Sequence, residues 1–335
     1  MTLTKYGFLV YYIIIMDLIA ELAEKVKKNP KRIVFPEGDN PEIQSAVNNL
    51  AKDRVVKPIV LVKTSGSFSF AEGVSVLEPE KEQERLKKFS EGYARKHQTS
   101  PKVAEKLCRR NIFFGAMMVA EGEADGMVAG IDSATAIVLQ SAALAVGLAP
   151  QSSIPSSFFV MHFGELFGEK DKVLIYADCA ATIEPDSQQL AEIGVTTARN
   201  SQRLLGFEPR VAFLSFSTKG SANHTRTEKV VKAVEIARSM APEIMFDGEL
   251  QADAALIPRV ANKKAPDSPV AGKANVLVFP DLDSGNIAYK LTQYLAGASA
   301  YGPIIQGFRR PVNDLSRGAK AKDIYGVAII TALLA

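Results

Sequence analysis

The sequence predicts an α/β fold made of two α/β units with mainly parallel sheets. Short apolar runs alternate with longer helix-period segments over most of the chain, the pattern of repeated βαβ units. Pro, Gly, Asp and Ser punctuate the joins between them. The 335 residues suffice for two such domains or one large one.

The elements follow in order. MDLIAELAEKVKK, from Met16, opens an amphipathic helix. RIVFPEGD, from Arg32, reads as a strand running into a Pro/Gly/Asp loop, and residues 41–51 read as a helix. KPIVLVK, from Lys57, is the next strand, and a charged helical stretch covers 80–110. DGMVAG, from Asp125, is a strand and turn before a small-residue helix over 133–146. SSFFVMHF and KVLIYADCAA read as two strands joined by a turn, an antiparallel excursion. A helix over about 188–205 follows. RVAFLSF, EIMFDGE and ANVLVFPDL are then strands, each followed by a loop and a helix, over 226–240, about 253–260 and 287–295. Residues 261–273 are a Pro/Gly/Lys-rich surface connection.

Composition narrows the function classes. Hydrophobic residues make up 47% and charged residues 23%, the balance of a soluble globular protein. The net charge of +3 is dispersed, and no basic tract indicates nucleic acid. Cys108 and Cys179 stand far apart without CxxC spacing, and His97, His162 and His224 lack ligand spacing; a structural metal site is not expected. This cysteine usage suits a reducing compartment, so a cytoplasmic location is expected. The apolar run YGFLVYYIII (6–15) is too short to span a bilayer and has no small-residue cleavage site after it. The two readings are an extension upstream of a start at Met16, or a membrane-associated segment.

Ligands of open α/β sheets sit at the carboxyl ends of the strands. Four loops there carry the chemistry. Ser215–Ser221 offers hydroxyls, Lys219 and a glycine turn, which suit an anion, or serve as a helix cap with incidental hydroxyls. It lacks P-loop spacing. Asp247–Asp253 holds three carboxylates, read as helix-dipole partners rather than metal ligands. Phe279–Asn286 leads into a helix bearing Lys290, with Asp283 or Ser284 as cap and Gly285 and Asn286 permitting close backbone approach. Gly302–Gly318 is long, polar and punctuated by Gly and Pro, and holds both Arg and Asp. No strand is followed by GxGxxG, which speaks against a nicotinamide-dependent dehydrogenase.

SFSTKGSA, DGELQADAA, KAPDSPVAGKANVLVFPDLDSGNIAYK and GPIIQGFRRPVNDLSRG closely resemble the C-terminal motifs of the phosphate acetyltransferase (phosphotransacetylase) family. The likeness runs from about Met16 onward and is most specific in the C-terminal half. It implies two αβα domains of the isocitrate/isopropylmalate dehydrogenase type with an active-site cleft between them. Domain I is expected over 1–155 plus 305–335, with 1–15 an extension, and domain II, over 156–304, is inserted. The implied activity is reversible acetyl transfer between coenzyme A (CoA) and phosphate. CoA and acetyl-CoA are substrates, no cofactor is bound, and a homodimer is expected.

By the same resemblance the chemistry falls to Ser316, Arg317 and Asp323. Asp323 takes the proton of the CoA thiol. Ser316 donates to the carbonyl oxyanion. Arg317 holds the phosphoryl group. Ser217, Thr218 and Lys219 are expected as a second anion contact, and Asn286, Lys290, Arg310 and Asn313 as further substrate contacts. The chain departs from the family pattern at Ser133, Ile137 and Gln140, where the family commonly has His, Asp and Arg, and at Tyr294, where it has Arg. Two missing cations leave room for another acyl preference (butyryl or propionyl) or for a weakened CoA-binding protein.

Overall fold

A computed structural model describes residues 18–64, 66 and 69–335. The N-terminal run 1–15 lies outside the described residues. The chain divides into two compact bodies. The first comprises 18–149 and 308–335, and the second 150–307.

The first body begins with α1 (18–27). It continues with β1 (Arg32–Phe35), α2 (Pro41–Lys52), β2 (Lys57–Leu61), β3 (Ser75–Leu77), α3 (Gln83–His97), α4 (Pro101–Cys108), α5 (Asn111–Ala120), β4 (Gly126–Ala129) and α6 (Thr135–Ala145). The second body holds β5 (Ser156–Leu166), β6 (Glu169–Ala177), α7 (Ser187–Leu205), β7 (Arg210–Leu214), α8 (Thr225–Met240), β8 (Met245–Leu250), α9 (Ala252–Leu256), α10 (Pro258–Lys264), β9 (Val276–Val278), α11 (Leu282–Leu295) and β10 (Ser299–Gln306). The chain then returns to the first body as β11 (Val312–Asp314) and α12 (Ala321–Leu334).

In the first body five parallel strands lie in the order β11-β4-β1-β2-β3. β1 pairs with β2 on one side and β4 on the other, so the winding reverses at the β1/β4 crevice. The strands are apolar on both faces, as parallel strands covered by helices must be: Ile33, Val34, Phe35, Val60 and Met127 are all fully buried. The second body's sheet runs β10-β5-β6-β9-β7-β8. β5 pairs antiparallel with β6 and β10, and the other pairs are parallel. The expected hairpin excursion is therefore present.

Several local readings are corrected. The charged stretch 80–110 is two helices, broken where Gln98 takes a left-handed conformation (φ 50°) and Pro101 starts α4. The helix about 253–260 is also two, because Pro258 forces Ile257 into an extended conformation. The cap of α11 is Asp281, whose side chain accepts from Ser284 N at 2.9 Å; Asp283 and Ser284 lie inside the first turn. The polar stretch 302–318 is not a loop throughout. Residues up to Gln306 finish β10, and β11 follows.

Candidate active site

The first body gathers several charged and polar groups at the carboxyl end of its sheet. Glu37, two residues past β1, reaches across the crevice to the loop after β4. Its carboxylate accepts from Gly130 N at 2.7 Å, Ile131 N at 3.1 Å and Asp132 N at 3.1 Å. Three backbone donors on one carboxylate lock that loop. A cleft of about 770 Å³ opens beside it. Glu37, Lys63, Arg109, Arg110, Asp132 and Ser133 supply its polar wall. Ile112, Phe113, Ile137 and Leu144 supply apolar wall, and Gln140 also lines it.

β11 delivers the next groups. Asp314, its last residue, is 3% exposed and accepts from Thr135 Oγ1 at 2.6 Å. Its Oδ1 has no hydrogen-bond partner among the described residues. Burial, with Glu37 nearby, pushes its carboxyl up to about 6. Leu315 N then donates to Ala129 O at 2.7 Å, which fixes the start of the following loop on β4.

Ser316 and Arg317 are exposed in that loop. The turn closes through Ala319 N donating to Ser316 O at 2.9 Å. Arg317 forms no ion pair with a described carboxylate within 4.0 Å, so its guanidinium is uncommitted in this body. Asp323 is exposed in the first turn of α12 and accepts from Lys320 N at 2.9 Å. Glu42 fastens the same turn by accepting from Ala321 N at 2.8 Å. The three residues thus sit on one segment, anchored by Leu315 before and by Glu42 and Asp323 after.

The second body holds the other expected residues. Lys219 (φ 49°) and Gly220 (φ 81°) make the left-handed turn of the Ser215–Ser221 loop. Its polar groups are already engaged. Ser217 Oγ donates to Glu249 Oε1 at 2.8 Å, Gly220 N donates to the same oxygen at 2.8 Å, and Thr218 Oγ1 accepts from Gln251 N at 2.9 Å. Lys219 Nζ pairs with Asp247 Oδ1 at 2.5 Å, and Arg238 adds a second contact at 2.8 Å. Burial opposes ionisation of Asp247, yet the Lys219 ammonium carries its carboxyl below the usual range. Ser217, Thr218 and Lys219, expected as an anion contact, are thus also the groups by which the loop is held to Glu249, Gln251 and Asp247.

Of the other expected contacts, Asn313 and Asn286 are hydrogen-bonded within the fold, Arg310 lies elsewhere and Lys290 is exposed. Asn313 is fully buried and donates to Thr331 Oγ1 at 2.7 Å inside the first body's core. Asn286 Nδ2 donates to Cys179 O at 3.0 Å and ties α11 to the end of β6. Arg310 precedes β11, so it stands at the amino end of the sheet, away from the Ser316 loop. Lys290 is exposed, with its ammonium 5.0 Å from the ring centre of Tyr289. Sequence reasoning missed Glu37 and Asp314. The signal for both was an acid at, or two residues past, the carboxyl end of a strand.

The family model of phosphate acetyl/butaryl transferases matches residues 17–332. The chain belongs to the phosphate acetyl/butaryl transferase family. A phosphate acetyltransferase of Thermoanaerobacterium thermosaccharolyticum is 46% identical over 329 residues, covering 96% of this chain and the whole of that relative. The crystal structure of a phosphotransacetylase from Streptococcus pyogenes is 40% identical, with a TM-score of 0.87 over 95% of this chain and 98% of that one. A branched-chain phosphotransacylase from Enterococcus faecalis shares the fold at 20% identity, TM-score 0.66, covering 91% and 99% of the two chains. Among the described residues, the transferase has no group of three or more His, Cys, Asp or Glu placed to hold a metal ion, and no helix long and apolar enough to cross a membrane.

Proposed function

We propose that the chain is a phosphate acetyltransferase, moving an acetyl group reversibly between CoA and phosphate. The observation that carries this reading is the segment from Asp314 to Asp323, which presents a hydroxyl, an unpaired guanidinium and a carboxylate from one anchored turn. The identity to acetyl-transferring relatives over nearly the whole chain supports it.

In the acetyl-CoA-forming direction Asp323 takes the proton of the CoA thiol. The thiolate attacks the carbonyl carbon of acetyl phosphate, and the carbonyl electrons move onto oxygen. Ser316 Oγ donates to that oxyanion. The carbonyl then re-forms, the bond to the phosphate oxygen breaks, and inorganic phosphate leaves on Arg317. A thiol of pKa about 8.5 is mostly protonated at neutral pH, so a positioned base accelerates the attack. Proton transfer to Asp323 runs together with the attack, so that no free thiolate has to accumulate. Lys290 supplies a further contact for a substrate phosphate. The enzyme acts in the cytoplasm, uses CoA as substrate rather than as a resident cofactor, and needs no metal.

The homodimer belongs to the same proposal. Ile287, Leu291, Tyr294 and Leu295 are 57, 52, 79 and 81% exposed and fall on one face of α11. An apolar helical stripe of this kind fits a second copy. Leu291→Glu is expected to convert a dimer to a monomer by light scattering; a wild-type monomer would remove this part.

A second acyl range has one observation in its favour. Ile137 is 48% exposed in the cleft wall and Gln140 lies nearby, where the family carries charge. Steady-state assays with acetyl, propionyl and butyryl phosphate decide the matter. The acetyl reading expects the highest kcat/KM for acetyl phosphate; absence of acetyl-CoA formation sinks it.

A further inference from the structure

The consecutive pair Arg309-Arg310 is left without a task in the reaction. Both residues precede β11, whereas Ser316 follows it, so they occupy the opposite end of the first body's sheet. There a pocket of about 170 Å³ is lined by Lys96, Arg309, Arg310 and Glu121 over an apolar floor that includes Met117 and Val146.

Two of the three cations, Arg309 and Lys96, are held by backbone carbonyls. Arg309 Nε donates to Leu148 O at 3.1 Å and its backbone N to Gly147 O at 3.0 Å. Lys96 Nζ donates to Ala145 O at 3.4 Å. The Arg310 guanidinium lies against Gly122, its nitrogens 3.6 Å from where a Cβ there would sit. None of the three forms an ion pair with a described carboxylate. Glu121, the acid of the wall, is turned to Lys88 at 3.5 Å. Three like charges gathered on one concave surface repel one another, and an anion there relieves that repulsion. Guanidinium forks match phosphoryl oxygens in bidentate fashion, and an ammonium adds a point charge. At roughly 30 Å³ per water the space is that of about six waters, enough for a phosphoryl group and a short carbon chain.

We propose that this pocket binds a small phosphate monoester or inorganic phosphate, with Arg309, Arg310 and Lys96 on the phosphoryl oxygens, at a site separate from acetyl transfer. The test is calorimetric titration of the full chain with glycerol 3-phosphate and, separately, inorganic phosphate. The wild type and the Arg310→Ala, Lys96→Ala and Arg317→Ala variants are compared, the two pocket changes also in the Arg317→Ala background. At least one probe is expected to bind Arg317→Ala, which lacks the active-site phosphate contact, and to bind that variant at least tenfold more weakly once Arg310→Ala or Lys96→Ala is added. Which probe does so tells an ester from free phosphate. Melting temperatures of the two pocket variants, and their acetyl-CoA formation at saturating substrates, are expected to match the wild type within 2-fold in rate and about 4 °C. Binding of both probes to Arg317→Ala unaltered by adding Arg310→Ala or Lys96→Ala, abolished by Arg317→Ala alone, or absent in the wild type at millimolar concentration overturns the proposal. These titrations read binding only, so loss of the acetyltransferase reading would leave their outcome untouched.

Discussion

Asp314 Oδ1 fills the space that a side chain on Gly130 would need: an ideal Cβ there would stand 2.1 Å from this oxygen and 2.8 Å from Leu315 N. Gly130 also has φ +112°, a conformation that L side chains rarely adopt. The backbone after β4 and the carboxylate ending β11 are thus fitted together atom to atom. Gly130→Ala is expected to destabilise the protein by about 2 kcal/mol or more and to displace the Ser316 loop. Urea unfolding and kcat measured together check this; a variant with wild-type values for both contradicts the fit.

Asp314 also makes stability depend on pH. Its folded pKa of about 6 lies above the ordinary carboxylate value of 3.8, so the folded protein binds its proton more tightly than the unfolded chain does. This contribution favours the folded state at low pH and is lost as pH rises from about 4 through 6. The ceiling is roughly 3 kcal/mol, from about 1.4 kcal/mol per pKa unit. Urea midpoints at pH 5 and pH 7.5 are compared for wild type and Asp314→Asn. The change between the two pH values is expected to differ between the proteins, the wild type losing more on going to pH 7.5. Equal changes would show that Asp314 ionises freely.

Asp323→Asn tests the base. Asn can still accept from Lys320 N, so the start of α12 is preserved while the proton acceptor is lost. A fall in kcat of about 10² or more is expected, with KM for CoA changed only a few-fold. Near-normal turnover would remove Asp323 from proton transfer.

Arg317→Lys tests the fork. The charge is kept but the planar pair of donors is lost, and a drop in kcat/KM for acetyl phosphate of about 10-fold or more is expected. Unchanged kinetics would place Arg317 outside the site.

Lys219→Met separates loop building from substrate binding. Asp247 would keep Arg238 but lose its closer partner, so a loss of about 1–3 kcal/mol in stability is expected while KM for phosphate stays constant. A raised KM at unchanged stability would return Lys219 to the substrate.

The sequence made β1, β2, β4, β7 and β9 legible, because each is a short apolar run that gives way to a polar or turn-forming segment, with Pro36, Lys63, Gly130, Ser215 and Pro280 near their ends. It hid α5: Ile112, Phe113, Phe114, Met117 and Val119 are all buried, so no helical period of polar residues marks it. It hid β10 because Gly302 and Pro303 interrupt it, which an edge strand tolerates. The segment from Ser316 to Asp323 could be read as a motif. The directions of Asn313 and Ser217 could not, since a motif gives residue type and not which way a side chain points. Glu37 escaped notice because its partners are backbone amides more than ninety residues away.

Leu148 and Phe308 form an isolated antiparallel bridge, and Arg309 reinforces it through Gly147 and Leu148. The points where the chain leaves the first body and re-enters it are therefore neighbours. Residues 150–307 are laid out as a cassette, clipped shut at its base. A short peptide could reseal the gap if the cassette were excised, and the host remnant would retain all five strands of its sheet in their native winding.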